Sequence, residues 1–288
     1  MNNLWTFGDS FTAGHGCKFS ESGPFSINKT DSYYYKTYHN YYDVNKKIWP
    51  EIVSEHLNFN LINCGENGIT NQTIFDLLMV NVDKIQKGDI IIVQTSVSGR
   101  FDFPFLKEKT LFGFKNYNLE NDTFETIESP YRFKTIFTSN IMGEFSADNE
   151  NMLYYTNAQD SLNDANVKLN KIKYDNIRNF FLDFVSTGKY YERDVWRFIK
   201  FIDIFNNLNL KIYLINEGIW PEYLKKPKYL INVGDGGMHG YTLSNKKTIF
   251  HDTNGKIDDR HPSYEGHEIL ADLIINFIKN ENTNIHKS

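Results

Sequence analysis

The residue types with the most chemical reach stand at the two ends of the chain. Near the start, Gly8-Asp9-Ser10-Phe11-Thr12 follows the short apolar run Leu4-Trp5-Thr6-Phe7. A serine just after a strand is displayed at the carboxyl edge of a sheet, where open α/β sheets bind their ligands. Its hydroxyl becomes a nucleophile only if a neighbouring base takes the proton, and that base needs a third group to hold its tautomer. The far end supplies both types in Asp258-Asp259-Arg260-His261-Pro262-Ser263-Tyr264-Glu265-Gly266-His267. Asp258 and His261 stand three apart, so a single turn would set a carboxylate beside an imidazole. Pro262 stiffens the chain beyond the histidine, and Ser263 can cap the next helix. A third stretch, Asn63-Cys64-Gly65-Glu66-Asn67-Gly68-Ile69-Thr70, places glycines between a strand and a helix. Glycine there lets a backbone N–H approach a developing oxyanion. The plainer reading of each piece is a turn: Gly-Asp-Ser is a common turn tripeptide, and a histidine before a helix can be a surface polar group.

Alternating strands and helices must position these residues. Leu4–Phe7, Phe59–Cys64, Asp89–Thr95 and Leu210–Ile215 read as strands, with a further short one around Tyr229–Val233. The continuous run Ile90-Ile91-Ile92-Val93 suits a central parallel strand covered on both faces. Trp49-Pro50 opens a helix, with proline in the first turn. Thr70 or Asn71 caps a second that runs through Ile74, Leu77, Leu78 and Ile85. Residues 160–183 and 190–207 read as helices broken at Ser186-Thr187-Gly188. Tyr264–Ile278 closes the chain as an amphipathic helix, and Asn280–Ser288 is expected to fray. Residues 18–47 read as a long loop. Phe101–Asn157 has no sustained period and reads as an irregular insertion with short hairpins. Its Phe101, Phe103, Phe105, Phe112 and Phe114 suit core packing better than an acyl or sugar pocket. The βα alternation predicts a three-layer α/β domain around a parallel sheet. One domain over 1–288 is expected, with 101–186 inserted into it.

Composition narrows the classes. The chain has 288 residues, 40% hydrophobic and 23% charged, with a net charge of −5. The acidic balance argues against a nucleic-acid-binding surface. With no run of about 18 apolar residues, no membrane span is expected. The two cysteines, Cys17 and Cys64, form neither a disulfide scaffold nor a zinc spacing. Met1-Asn2-Asn3 lacks the basic start of a secretion signal, so the cytoplasm of the producing cell is the expected compartment, with carriage on a virus particle the other option. Several motifs fail. Thr12 spoils Gly-x-Ser-x-Gly, and Ala271 stands where His-Glu-x-x-His needs histidine. His239 replaces the last glycine of Gly-x-Gly-x-x-Gly in Gly234–Gly240, which reads as a flexible loop with no helix after it. No cofactor or metal is implied.

Taken together, the three blocks resemble the SGNH (GDSL) hydrolase family. Gly8-Asp9-Ser10 is similar to its first block, Asn63–Gly68 to its second, and Asp258-x-x-His261-Pro262 to its last. The trailing Ser263-x-x-Gly266-His267 and the Trp49-Pro50 helix start are similar too. The resemblance covers both ends and residues 48–95, and says little about 100–205. It implies a flavodoxin-like sheet and ester hydrolysis through an acyl-enzyme. Ser10 would be the nucleophile and His261 and Asp258 the rest of a triad, with the N–H groups of Ser10 and Gly68 binding the oxyanion. One block departs from the pattern. Where the family carries Gly-x-Asn-Asp, this chain reads Gln94-Thr95-Ser96-Val97-Ser98-Gly99-Arg100. Ser98 takes the Asn register, with Thr95 or Ser96 as other candidate donors, and Arg100 is expected to pair with a neighbouring carboxylate. The implied substrate is a small-molecule or glycan ester, foremost an O-acetylated carbohydrate. A binding module of the same fold without turnover and an acyltransferase are the competing expectations. The Asn-, Lys- and Ile-rich composition, absent leader and altered block resemble a phage-encoded member.

Overall fold

The computed structural model describes residues 2–19, 27–31, 33–96, 100–105, 113–118, 123–128, 132–137, 187–217, 220–234, 236–251 and 257–285. In chain order the elements are β1 (Asn3–Phe7), α1 (Ser10–Ala13), α2 (Tyr33–Tyr38), α3 (Trp49–Leu57), β2 (Asn60–Asn63), α4 (Asn71–Asn81) and β3 (Ile90–Gln94). There follow β4 (Arg100–Phe105), β5 (Gly113–Asn118), β6 (Thr123–Glu128), β7 (Arg132–Phe137), α5 (Thr187–Asn207) and β8 (Lys211–Ile215). Last come β9 (Leu230–Ile231), α6 (Gly237–Ser244), β10 (Thr248–His251), β11 (Ile257–Pro262) and α7 (Tyr264–Ile285).

Five strands form one parallel sheet in the order β2-β1-β3-β8-β9. Numbered along the sheet-forming strands this is 2-1-3-4-5, an order compatible with a flavodoxin-like fold. The direction of winding reverses at β1, so right-handed connections put α3 and α4 on opposite faces. The packing agrees: α3 lies against α7, and α4 against α5. Phe75 of α4 meets Phe198 and Phe201 of α5 edge-on at 5.8 and 5.5 Å.

Every residue of β3 is buried, as its unbroken β-branched run predicts for a strand covered on both sides. Each such isoleucine contributes about 1.5–3 kcal/mol by leaving water. The core also closes around Trp5 and Trp49. Trp5 Nε1 donates to the Asp89 carboxylate at 2.9 Å, and the same carboxylate accepts the backbone N–H of Asn3 and Gln86. The start of β1 is thereby tied to the turn before β3. A smaller cluster of Cys17, Tyr38, Ile48, Ile249 and Tyr264 packs near the site end.

Several elements differ from the sequence expectation. The stretch 18–47 carries a short helix, α2, whose Tyr38 packs into that smaller cluster. The segment after β3, in contrast, does hold antiparallel pairing of the kind expected of short hairpins, β4 with β7 and β5 with β6. The side chains of Phe101, Phe103, Phe105, Phe112, Phe114 and Arg100 lie outside the described residues, as does all of 138–186 and so the helix expected over 160–183. Helix α5 begins at Thr187, so Gly188 stands inside its first turn rather than in a break. The loop expected at Gly234–Gly240 runs into α6. Two of that helix's first N–H groups, on Met238 and His239, donate to the buried carboxylate of Glu217 at 3.0 and 2.9 Å. A carboxylate there satisfies orphan donors and complements the helix dipole. Helix α7 continues to Ile285 instead of fraying after Asn280. Among the described residues, no helix is long and apolar enough to cross a membrane.

Candidate active site

The winding reverses at β1, where open α/β sheets bind their ligands, and Ser10 follows the carboxyl end of that strand. β1 ends at Phe7, and Asp9 caps the four-residue helix α1, its Oδ1 accepting the N–H of Phe11 at 3.1 Å. Trp49 Nε1 anchors α1 from the side by donating to the carbonyl of Phe11 at 3.1 Å. Ser10 is 3% exposed.

His261 reaches Ser10 from the other end of the chain. Its Nε2 lies 2.8 Å from Ser10 Oγ. In the tautomer protonated on Nδ1, the serine hydroxyl donates to Nε2, the arrangement a general base requires. The ring also meets Phe11 at 5.3 Å and stacks on His15 at 4.2 Å.

The Asp258–His261 segment is a strand rather than the turn expected from spacing. β11 pairs antiparallel with β10, matching Thr248 to Pro262 but Ile249 to Asp259. Arg260 and His261 are therefore bulged out of the ladder. A bulge bends the strand and re-aims its side chains, and this one carries His261. Asp258 pairs with Phe250 along the backbone, and its side chain lies outside the described residues. Pro262 ends the strand, and Ser263 caps α7, its Oγ accepting the N–H of Gly266 at 3.1 Å.

The Asn63–Gly68 stretch packs directly on α1. Asn63 Oδ1 accepts from Gly65 N and Thr6 Oγ1, while its Nδ2 donates to the carbonyl of Thr12 at 3.0 Å. At Gly65 the backbones approach so closely that a Cβ would stand 2.6 Å from the backbone N of Ala13. Gly68 has a φ of 77° in the turn before α4. The cap of α4 is Thr70, which accepts the N–H of Thr73.

Two of the three residues read from the sequence as candidate third oxyanion donors have partners elsewhere. Ser96 is fully buried and its Oγ donates to Asp9 Oδ2 at 2.9 Å, while Asn71 holds its backbone at both N–H and carbonyl. Thr95 is equally buried, and its Oγ1 accepts the N–H of Glu217. Neither hydroxyl faces an open cleft. Ser98 lies outside the described residues. What sequence reasoning missed is the network beneath Ser10. Gln94 Nε2 donates to Asp9 Oδ1 at 2.8 Å, and its Oε1 accepts from Thr12 Oγ1. The signal was one polar residue ending an otherwise apolar strand.

Elsewhere His267 is fully buried, with no hydrogen-bond partner on either ring nitrogen. Burial pushes it down to about 3, with the neighbouring His261 adding to the shift. Among the described residues no cluster of His, Cys, Asp and Glu is arranged to hold a metal ion. Comparison with protein-family models, with curated proteins and with solved structures finds no match to this chain.

Proposed function

We propose that this chain is a serine esterase of the SGNH type acting on an acyl ester, with an O-acetylated carbohydrate as the leading substrate class. The observation that carries the reading is the 2.8 Å contact between Ser10 Oγ and His261 Nε2, made across 251 positions of sequence. Ser10 Oγ attacks the acyl carbonyl as His261 Nε2 takes its proton. The imidazolium then protonates the departing alcohol oxygen, leaving an acyl-enzyme. Water attacks that ester with His261 again as base. In this reading Asp258 steadies the imidazole and the N–H groups of Ser10 and Gly68 receive the oxyanion. Ser98 is the remaining candidate for the third donor, since Ser96 and Thr95 are engaged elsewhere.

Hydrolysis of p-nitrophenyl acetate by the full chain tests the proposal. Ser10→Ala and His261→Ala are each expected to lower kcat by about 10³-fold or more. Equal, slow hydrolysis by wild type and Ser10→Ala would leave a binding module in place of an enzyme. Acetylated products formed when a sugar acceptor is added would indicate acyl transfer.

A further inference from the structure

His261 is a bulged residue, so the β10–β11 ladder does not by itself fix the plane of its ring. A base must nevertheless hold that plane, because a small misplacement of Nε2 relative to Oγ is costly in rate. Among the described residues His15 lies nearer to the His261 ring than Phe11 does, at 4.2 Å with 30° between planes.

The chain is shaped to put His15 there. Helix α1 ends at Gly14, whose φ of 78° turns the chain left-handed, and Gly16 repeats the same φ. Between them the N–H of His15 donates to the carbonyl of Ser10 at 2.9 Å. The histidine is thus tied by its backbone to the nucleophile's own residue. Its Nε2 lies 2.9 Å from the hydroxyl of buried Tyr38, whose ring stands edge-on to it at 5.0 Å. A Cβ on Gly16 would strike the Tyr38 ring at 2.9 Å, so backbone and tyrosine are in direct contact.

We propose that His15 is a positioning residue for His261: pinned by Tyr38, its ring sets the plane in which His261 presents Nε2 to Ser10. The inference rests on reading Ser10 and His261 as the working pair. The groups around the pair are Ser10 and Phe11 of α1, Tyr38 of α2 and, within electrostatic reach of His261, buried His267 of α7.

Steady-state kinetics of the full chain on p-nitrophenyl acetate test this with His15→Leu, which keeps volume without a polar ring, and His15→Phe, which keeps an aromatic face. His15→Leu is expected to lower kcat on the order of 10²-fold with KM unchanged, because only the geometry of attack is lost. His15→Phe recovers most of kcat, with KM again unchanged. A wild-type kcat in His15→Leu would overturn the inference while leaving Ser10-dependent turnover, and so the esterase reading, intact. Absence of Ser10-dependent turnover in wild type overturns that reading and this inference with it. If His15→Leu does not fold, the imidazole ¹⁵N signals of His261 in His15→Phe decide: shifted signals support the contact, and unchanged ones refute it.

Discussion

Removing the hydroxyl of Ser96 separates a structural role from a catalytic one. The residue is fully buried, with its Oγ on Asp9 Oδ2 at 2.9 Å and its backbone clamped by Asn71 at 2.7 and 3.3 Å. Ser96→Ala deletes one hydrogen bond to a charged acceptor, about 1.5–3 kcal/mol, and leaves a void of only one oxygen atom. Asp9 keeps the donors on its other oxygen, Phe11 N and Gln94 Nε2, so the carboxylate is not stranded. The expected loss is therefore about 2 kcal/mol of stability. An oxyanion donor would behave in the opposite way, costing about 10²–10³-fold in kcat, roughly 3–4 kcal/mol of transition-state stabilisation, with little effect on folding. Urea unfolding followed by the fluorescence of buried Trp5 and Trp49 reads the first quantity, and p-nitrophenyl acetate turnover reads the second. The network predicts a lowered urea midpoint and a kcat within about tenfold of wild type, well short of a lost donor. An unchanged midpoint with kcat down by two to three orders of magnitude would refute it.

Three further outcomes rest on the same contacts. Glu217→Gln replaces one of two carboxylate acceptors with a donor and should cost about 2 kcal/mol, with faster amide exchange at Met238 and His239. Gly65→Ala drives a Cβ to 2.6 Å from the backbone of α1; turnover should fall at least about tenfold through the displaced Ser10, consistent with the steep cost of misplacing reacting groups, and unchanged kinetics would mean that the two segments do not touch. His267 is held neutral at about 3 by burial, below its ordinary 6.5. The unfolded chain therefore binds a proton in that window that the native state refuses, so stability is complete above about pH 6.5 and falls as pH drops towards 3, by about 2 kcal/mol at pH 5. Urea midpoints at pH 7 and 5 should show this in wild type and much less in His267→Leu, whose side chain leaves no ring nitrogen unpaired.

What was legible in the sequence is what is local. The β-branched run of β3, the Pro50 helix start, and the Thr70 and Ser263 caps each depend on residues within a few positions, and they form as read. Ser10 and His261 could be singled out because residue type and order survive without geometry, and the structure sets their Oγ and Nε2 2.8 Å apart. The rest is written between distant residues. Helix α6 has a weak pattern of its own, and its first turn is satisfied by Glu217, 21 positions before Met238. The bulge at Arg260-His261 depends on register against β10, which spacing within β11 cannot reveal. The role of Ser96 depends on Asp9, 87 positions earlier. Burial of Tyr38 against Cys17, Ile48, Ile249 and Tyr264 likewise explains a helix in a stretch with no period.

The central claim is that Ser10 is activated by His261. A fluorophosphonate that reacts with activated serines, followed by peptide mapping, tests it without knowledge of the substrate. The account predicts one adduct, on Ser10, that forms in wild type and is slowed by at least about 10²-fold in His261→Gln, since the proton acceptor is gone. An adduct on another residue, or labelling of Ser10 at the wild-type rate in His261→Gln, would contradict it.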